Sequence, residues 1–382
     1  MTILRCLVAL LMLAIQIKAS EQACGAPLWT ADLAGRYGFR TFGKAGYARR
    51  APALWERQQG IVFISSSIVA VYQVIADPHH DVTQRDQSGG AGEFVLQVEF
   101  LDVGMGDHLG SLRVQTNSDQ SGVFATHDGK FLVRAGNSIV LYSASFKQIA
   151  SKILPLIRSG TADEYWRVGV TASGNRVYLE HNQSFGLKGY VSEAAILDAD
   201  TLQSVASFNA RGMSLWPAGD SFLVAIKDYS AIGQVNFDGE WRSLFELIYR
   251  NQGSCKRATE LVKHTLLLAI FDCHVLRLLH LDGKELFNVL IDKHEEFASI
   301  TGSESMIAAE VDRGRGDPFD RGTDSKPLRV SLYDLETKSE RCSIPINTSV
   351  TIFHEPALYA VSMDGGAIAI IQGNMIKLWR NA

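Results

Sequence analysis

The sequence predicts an all-β fold assembled from one repeated unit, and three observations carry that prediction. The first is the stretch 121–149, where apolar runs alternate with tight-turn residues: Phe124-Ala125-Thr126, Asp128-Gly129, Phe131-Leu132-Val133, Ala135-Gly136-Asn137, Ile139-Val140-Leu141-Tyr142. Asp-Gly between β-branched and aromatic residues signals a hairpin, because glycine tolerates the positive φ that the turn needs. The second is spacing. Turn residues fall at Gly129, Gly174 and Gly219, each 45 residues after the last, and a further 45 reaches His264. Looser copies at Gly302-Ser303-Glu304-Ser305, Met363-Asp364-Gly365-Gly366 and Gln59-Gly60 bring the units to seven. The third is a second mark in the same register. An apolar residue followed by Asp closes the third strand of most units, at Leu101-Asp102, Leu197-Asp198, Phe237-Asp238, Leu281-Asp282 and Tyr333-Asp334.

A period of about 40 to 45 residues with four strands per unit and no helical periodicity is the signature of propeller blades. The expected architecture is a seven-bladed β-propeller of four-stranded antiparallel blades. The turn Asp-Gly, the apolar strand after it, and runs such as Ile139-Val140-Leu141-Tyr142-Ser143 and Ile376-Lys377-Leu378-Trp379-Arg380 resemble the WD40/YVTN-type repeats of secreted bacterial proteins. The resemblance covers roughly residues 60 to 380. It implies a disc that often serves as a binding platform and sometimes as an enzyme, and it transfers no catalytic residue.

Residues 1–19 carry a single Arg5, an apolar run over 6–15 and then Ala19-Ser20. This reads as a secretory signal peptide, the run being too short to cross about 30 Å of hydrocarbon. Cleavage after Ala19 leaves 20–382 as a single propeller domain with no further membrane span; an uncleaved anchor is the alternative. A lipidated Cys24 does not fit, since Glu21-Gln22-Ala23 lacks the apolar residue expected three before the cysteine.

The seventh unit ends one strand short, after strands around 358–362, 367–372 and 375–380. An open edge invites aggregation, so the missing strand must come from elsewhere. The expected donor is 28–42, anchored by Trp29, Leu33, Tyr37 and Phe39, so that both ends of the chain share one blade.

Export would place four cysteines, Cys24, Cys255, Cys273 and Cys342, in an oxidising compartment. Cys255 and Cys273 are symmetric about His264, which puts them opposite each other on paired strands, within the Cα separation a disulfide accepts. Two free core thiols are the alternative. Cys24 and Cys342 are the remaining pair, sterically reasonable if the N-terminus packs beside blade six.

The chain departs from its period at 76–93, within blade one, and at 311–327, within blade six; both are polar insertions suited to surface loops. His79, His80 and Asp81, with Asp77, offer ligand types for a zinc-like metal, but adjacent residues on an extended chain point apart, and a solvated loop is the simpler reading. Asp312, Asp317, Asp320 and Asp324 lack calcium-loop spacing, and Arg315-Gly316-Asp317 is too short to signal adhesion. No Gly-x-Ser-x-Gly elbow or activated cysteine is present, and the turn explains His127. Glu295 and Glu296, placed at the end of blade five's outer strand, read as a charged edge. Tryptophans such as Trp166, Trp216, Trp241 and Trp379, at strand starts or ends, are expected to pack between blades. Among His, Asp and Glu, the first-strand segments 124–127, 168–171, 214–217 and 359–362 contribute one side chain, His127.

With 20% charged residues, 33 glycines and a net charge of −4, the chain is neither disordered nor basic. No Lys/Arg stripe supplies a phosphate footprint, so nucleic acid is not an expected partner. No metal or other cofactor is expected. Two functions stay open: a secreted, non-catalytic platform for a protein, peptide or glycan, which the sequence favours, and a propeller hydrolase or lyase with its site at the central channel.

Overall fold

The computed structural model describes residues 23–39, 59–76, 94–116, 121–154, 164–184, 190–210, 213–227, 231–247, 257–262, 265–272, 274–313, 327–346 and 358–380. They form seven four-stranded antiparallel sheets, and this is a seven-bladed β-propeller. Six sheets take their strands in simple chain order. The seventh joins Leu358–Val361, Ala367–Gln372 and Met375–Arg380 to an outermost strand from the far end of the chain, Trp29–Asp32, with Trp29 opposite Leu378.

Burial follows position within a blade. Second strands such as Phe131–Ala135 and Leu267–Asp272 are buried at every residue, because a neighbouring blade covers each face. Fourth strands such as Gln148–Ile153 and Ser204–Asn209 alternate between exposed and half-buried side chains. The cores lie between blades. Phe100 of blade one meets Phe131 of blade two with ring centroids 4.9 Å apart. Trp166, Trp216, Trp241 and Trp379 each pack into such a cluster, although Trp166 and Trp216 stand inside their strands rather than at an end.

The two repeating marks have a physical basis. The terminal Asp of the third strand accepts backbone N–H groups of the turn it opens: Asp102 from Met105 (2.8 Å), Asp198 from Asp200 and Thr201 (3.1 Å each) and Asp334 from Thr337 (2.8 Å); in blade five the strand ends at His280, and Asp282, inside the turn, accepts from Lys284 (3.0 Å). Side chains that bond their own backbone in this way nucleate tight turns. Blade four shifts the task to Asn236, which accepts from Asp238 and Glu240.

One expected turn is not a turn. Gln59 and Gly60 lie inside the first strand of blade one, Gln59–Phe63, and the chain reverses instead at Ser65, Ser66 and Ser67. A Cβ on Gly60 would stand 2.2 Å from the Tyr72 ring, so this glycine serves a close approach across the strand pair.

The closing segment is also shorter as a strand than expected. After Asp32 the chain enters a helix, Leu33–Tyr37, because the Asp32 carboxylate accepts the N–H groups of Ala34 and Gly35 at 3.0 Å. Gly38, at φ 70°, ends it in the left-handed conformation. Leu33 and Phe39 are buried, and the Tyr37 ring packs 5.3 Å from His108.

Cys24 and Cys342 form a disulfide, with Cα atoms 5.0 Å apart. Ala23 bridges in parallel to Ser343, so the N-terminal segment does run beside blade six before it closes blade seven. Cys255, Cys273 and His264 lie outside the described residues. Both insertions leave from second-to-third-strand hairpins, where Ala76 pairs with Phe94 and Asp312 with Pro327. Residues 77–93, with His79, His80 and Asp81, and 314–326, with the Arg315-Gly316-Asp317 run, are outside the described set, as are 1–22. Among the described residues no helix is long and apolar enough to cross a membrane.

Candidate functional site at the channel mouth

The two faces of the disc differ. On the face where first strands end and third strands end, no more than five residues separate consecutive strands. On the opposite face, where first strands begin, ten or more residues separate Ala76 from Phe94, Ile153 from Glu164, Glu246 from Arg257, Arg313 from Pro327 and Pro345 from Leu358. The longest segments between strands therefore lie at the mouth of the central channel on this second face, where binding residues are disproportionately carried.

Blade six places the densest polar group there. Its first strand is Glu295–Gly302, so Glu295 and Glu296 open an innermost strand. This corrects their expected position at the end of blade five's outer strand, which stops at Leu290. The break is local: Asp292 accepts the His294 N–H at 2.8 Å through its carboxylate and the Glu295 N–H at 2.9 Å through its carbonyl, reversing the chain. Nor do they form an exposed edge. Glu296 is buried, and Glu295 meets the Arg329 guanidinium fork to fork, Nη2 to Oε2 at 2.8 Å and Nη1 to Oε1, with both side chains largely enclosed.

Below this pair lies a chain of hydrogen bonds with a fixed direction. The Glu310 N–H donates to the Tyr359 hydroxyl at 3.2 Å. Tyr359 in turn donates to Ser299 Oγ at 2.9 Å, and Ser299 donates to Glu310 Oε2 at 2.6 Å. Glu310 is fully buried. Ser299 follows a bulge in its strand, between Phe297 and Ser299, which turns its side chain toward blade seven. The arrangement holds the Glu310 side chain inside the ring with the Ser299 hydroxyl on its Oε2 and the Tyr359 hydroxyl behind Ser299, a geometry that could pass a proton from Ser299 or seal the seam between blades six and seven.

Across the ring, blade three presents Trp166 stacked on His181, with centroids 4.4 Å apart and planes inclined 13°. Arg167 donates to the Leu215 carbonyl at 3.0 Å and lies 3.6 Å from Glu180. Arg134 of blade two, 2% exposed, donates to the Trp166 carbonyl at 2.8 Å. Polar groups on innermost strands are thus more numerous than the segments 124–127, 168–171, 214–217 and 359–362 suggest, because those segments leave out the first strand of blade six, with Glu295, Glu296 and Ser299, and the start of blade three's, with Arg167.

The opposite face is organised as turns. His127 sits there, in a short 3-10 turn, with Nε2 3.1 Å from Asp200, so its place is structural, as the turn reading expects. Asp220 accepts from Ser173, from Asn175 at 2.8 Å and from Thr171 at 3.3 Å, tying blade four to blade three. Asp312 stands in the second strand of blade six, opposite Glu296, and Asp317, Asp320 and Asp324 lie outside the described residues. Among the described residues no group of three or more His, Cys, Asp or Glu side chains could hold a metal ion.

No family model matches the chain, and no curated protein matches it. Solved structures do. Uncomplexed acylaminoacyl peptidase from Pyrococcus horikoshii superposes with a TM-score of 0.50 at 11% identity, over 83% of this chain and 49% of that one. The orthorhombic crystal form of the same peptidase gives 0.49 at 11%, over 82% and 48%. A protein of unknown function from Bacteroides caccae gives 0.39 at 9% identity, over 67% of this chain and 92% of that one. The likeness to the peptidase shows the propeller fold. The chain spans about half the length of the peptidase chains it matches.

Proposed function

We propose that this propeller is a non-catalytic platform outside the cytoplasm, a member of the WD40/YVTN-type repeat group, which binds a protein, peptide or glycan at the channel mouth where its first strands begin. Signal-peptide cleavage after Ala19 and a single domain over 20–382 belong to the same reading. The observation that carries it is the asymmetry of the disc: short, self-satisfied turns on one face, long strand separations and the polar groups of blades two, three and six on the other. The Cys24–Cys342 disulfide supports an oxidising compartment.

The test places a photo-crosslinking residue at Lys227, exposed at the end of a second strand on the channel-mouth face, or at Asp220, exposed on the turn face. Incubated with the extracytoplasmic fraction, the Lys227 protein is expected to capture a discrete partner and the Asp220 protein is not. Capture from Asp220 alone overturns the reading.

A hydrolase or lyase is the second reading, favoured by the directed chain from Tyr359 through Ser299 to Glu310. Its signature is turnover of a peptide, ester or glycoside substrate that is lost in Glu310→Gln while the protein remains folded.

A further inference from the structure

On the turn face, where blades seven and one meet, lies a cleft of about 520 Å³ that the reading above does not use. Its wall from blade one is Ser66, Ser67, Asp102 and Gly104, and its wall from blade seven is Ser362, Asp364, Gly366 and Arg380. The volume falls in the range of small-molecule sites.

Each carboxylate is fixed by its own turn through one oxygen. Asp102 Oδ1 accepts the Met105 N–H at 2.8 Å, and Asp364 Oδ1 accepts the Ser362 hydroxyl at 2.6 Å and the Gly366 N–H at 2.9 Å. The Oδ2 atoms have no hydrogen-bond partner among the described residues. Arg380, exposed at the end of its strand, makes no ion pair within 4.0 Å among them either. The guanidinium and the carboxylates therefore share a cleft without closing on one another.

Glycine keeps that gap open. A Cβ on Gly104 would lie 3.0 Å from Asp102 Oδ1 and 3.8 Å from Arg380 Nη2, between the acceptor and the donor. A Cβ on Gly366 would lie 3.4 Å from Asp364 Oδ2. Neither glycine has a positive φ, so turn geometry does not demand it. A cradle of preset acceptors, one forked donor and the Ser66 hydroxyl, with only Val103 and Ala367 as apolar lining, matches a ligand whose every group both donates and accepts. A sugar hydroxyl does this: it donates to a carboxylate while accepting from a guanidinium.

We propose that the cleft between Asp102, Asp364 and Arg380 binds one neutral sugar ring, independently of the channel-mouth partner. The test uses saturation-transfer NMR and titration on the full chain with the methyl glycosides of glucose, galactose and mannose, and with glycine and acetate as charged probes. At least one glycoside is expected to bind with a dissociation constant of about 1 mM, a value ordinary for a single small ring. Arg380→Ala is expected to weaken it roughly tenfold or more through the lost charge-assisted bonds. Ser66→Trp, which fills the cleft from an exposed turn without removing a bond the structure records, is expected to abolish it. Both variants are checked for unchanged thermal unfolding, and the Lys227 crosslink is expected to survive in each. The proposal fails if no glycoside binds, if binding persists in both variants, or if glycine or acetate binds while the glycosides do not.

Discussion

Cys24 and Cys342 are 318 positions apart in sequence and 5.0 Å apart at Cα, so one covalent bond joins the outer strand of blade six to the segment that closes blade seven. The Cys24 N–H also donates to the Ser343 carbonyl at 2.9 Å, and Trp379 Nε1 donates to the Gly25 carbonyl at 2.8 Å. A cross-link over so long a loop removes much of the unfolded chain's freedom, on the order of 6 kcal/mol in the chain-entropy account. Cys342→Ser is expected to lower the urea midpoint by an amount that dithiothreitol reproduces in the native protein. Dithiothreitol should then have little further effect on the variant.

Acid should weaken the turn face first. The Asp364 carboxyl is held below the ordinary carboxylate range by the Ser362 hydroxyl and then by the Gly366 N–H. At Asp220 burial pushes upward, and the hydrogen bonds from Ser173, Asn175 and Thr171 together outweigh it. Both groups bind protons more weakly folded than unfolded. Their contribution is therefore complete above the unfolded Asp value of 3.8 and is lost as pH falls through the lower folded values. Urea midpoints measured from pH 7 down to about pH 2 should fall most steeply below that unfolded value. Asp220→Asn and Asp364→Asn should each flatten that acid limb.

Gly60→Ala tests a glycine chosen for space. Its new methyl would meet the Tyr72 ring at 2.2 Å, which predicts a loss of roughly 1–3 kcal/mol by overpacking. In the Tyr72→Leu background, where the ring is gone, the same substitution should cost clearly less. A double-mutant cycle by urea unfolding measures the difference.

Removing the Tyr359 hydroxyl deletes the bond it accepts from the Glu310 N–H and the bond it makes to Ser299 Oγ. Tyr359→Phe is expected to destabilise by about 1–3 kcal/mol, the penalty of unsatisfied buried polar groups. Ser299→Ala, which removes the donor to a fully buried carboxylate, should cost a similar amount. Thermal unfolding of both proteins provides the check.

The blade count was readable because turn chemistry is local. Asp198 and Asp334 bond to N–H groups two or three residues on, so a short window of sequence contains both partners. The closing strand was readable for a different reason: a last blade with three strands leaves an edge, and Trp29 to Leu33 supply apolar residues to cover it. Where that strand would stop was less visible. The carboxylate of Asp32 caps a helix that no apolar period announces. The channel mouth was misread at Glu295 because two acidic residues look the same on an outer edge and on an innermost strand. The deciding partner, Arg329, is 34 residues away. Asp292, ahead of the strand, is the local signal that places the break.

The pairing of Trp29 with Leu378 also orders events in time. Among the elements of the fold the segment around Ala31 and Leu33 is synthesised first, yet the strand that covers it is synthesised last. Until residue 380 emerges, the segment can pack on blade one, where Trp29 Nε1 donates to the Val103 carbonyl, but it has no strand to pair with, and six blades can assemble while the ring stays open. Completion is therefore a late, long-range step, slow relative to the hairpins and exposed to intermolecular strand exchange while it waits. A chaperone that shields the strand Trp29–Asp32 would act on the seam whose two strands lie furthest apart in the chain.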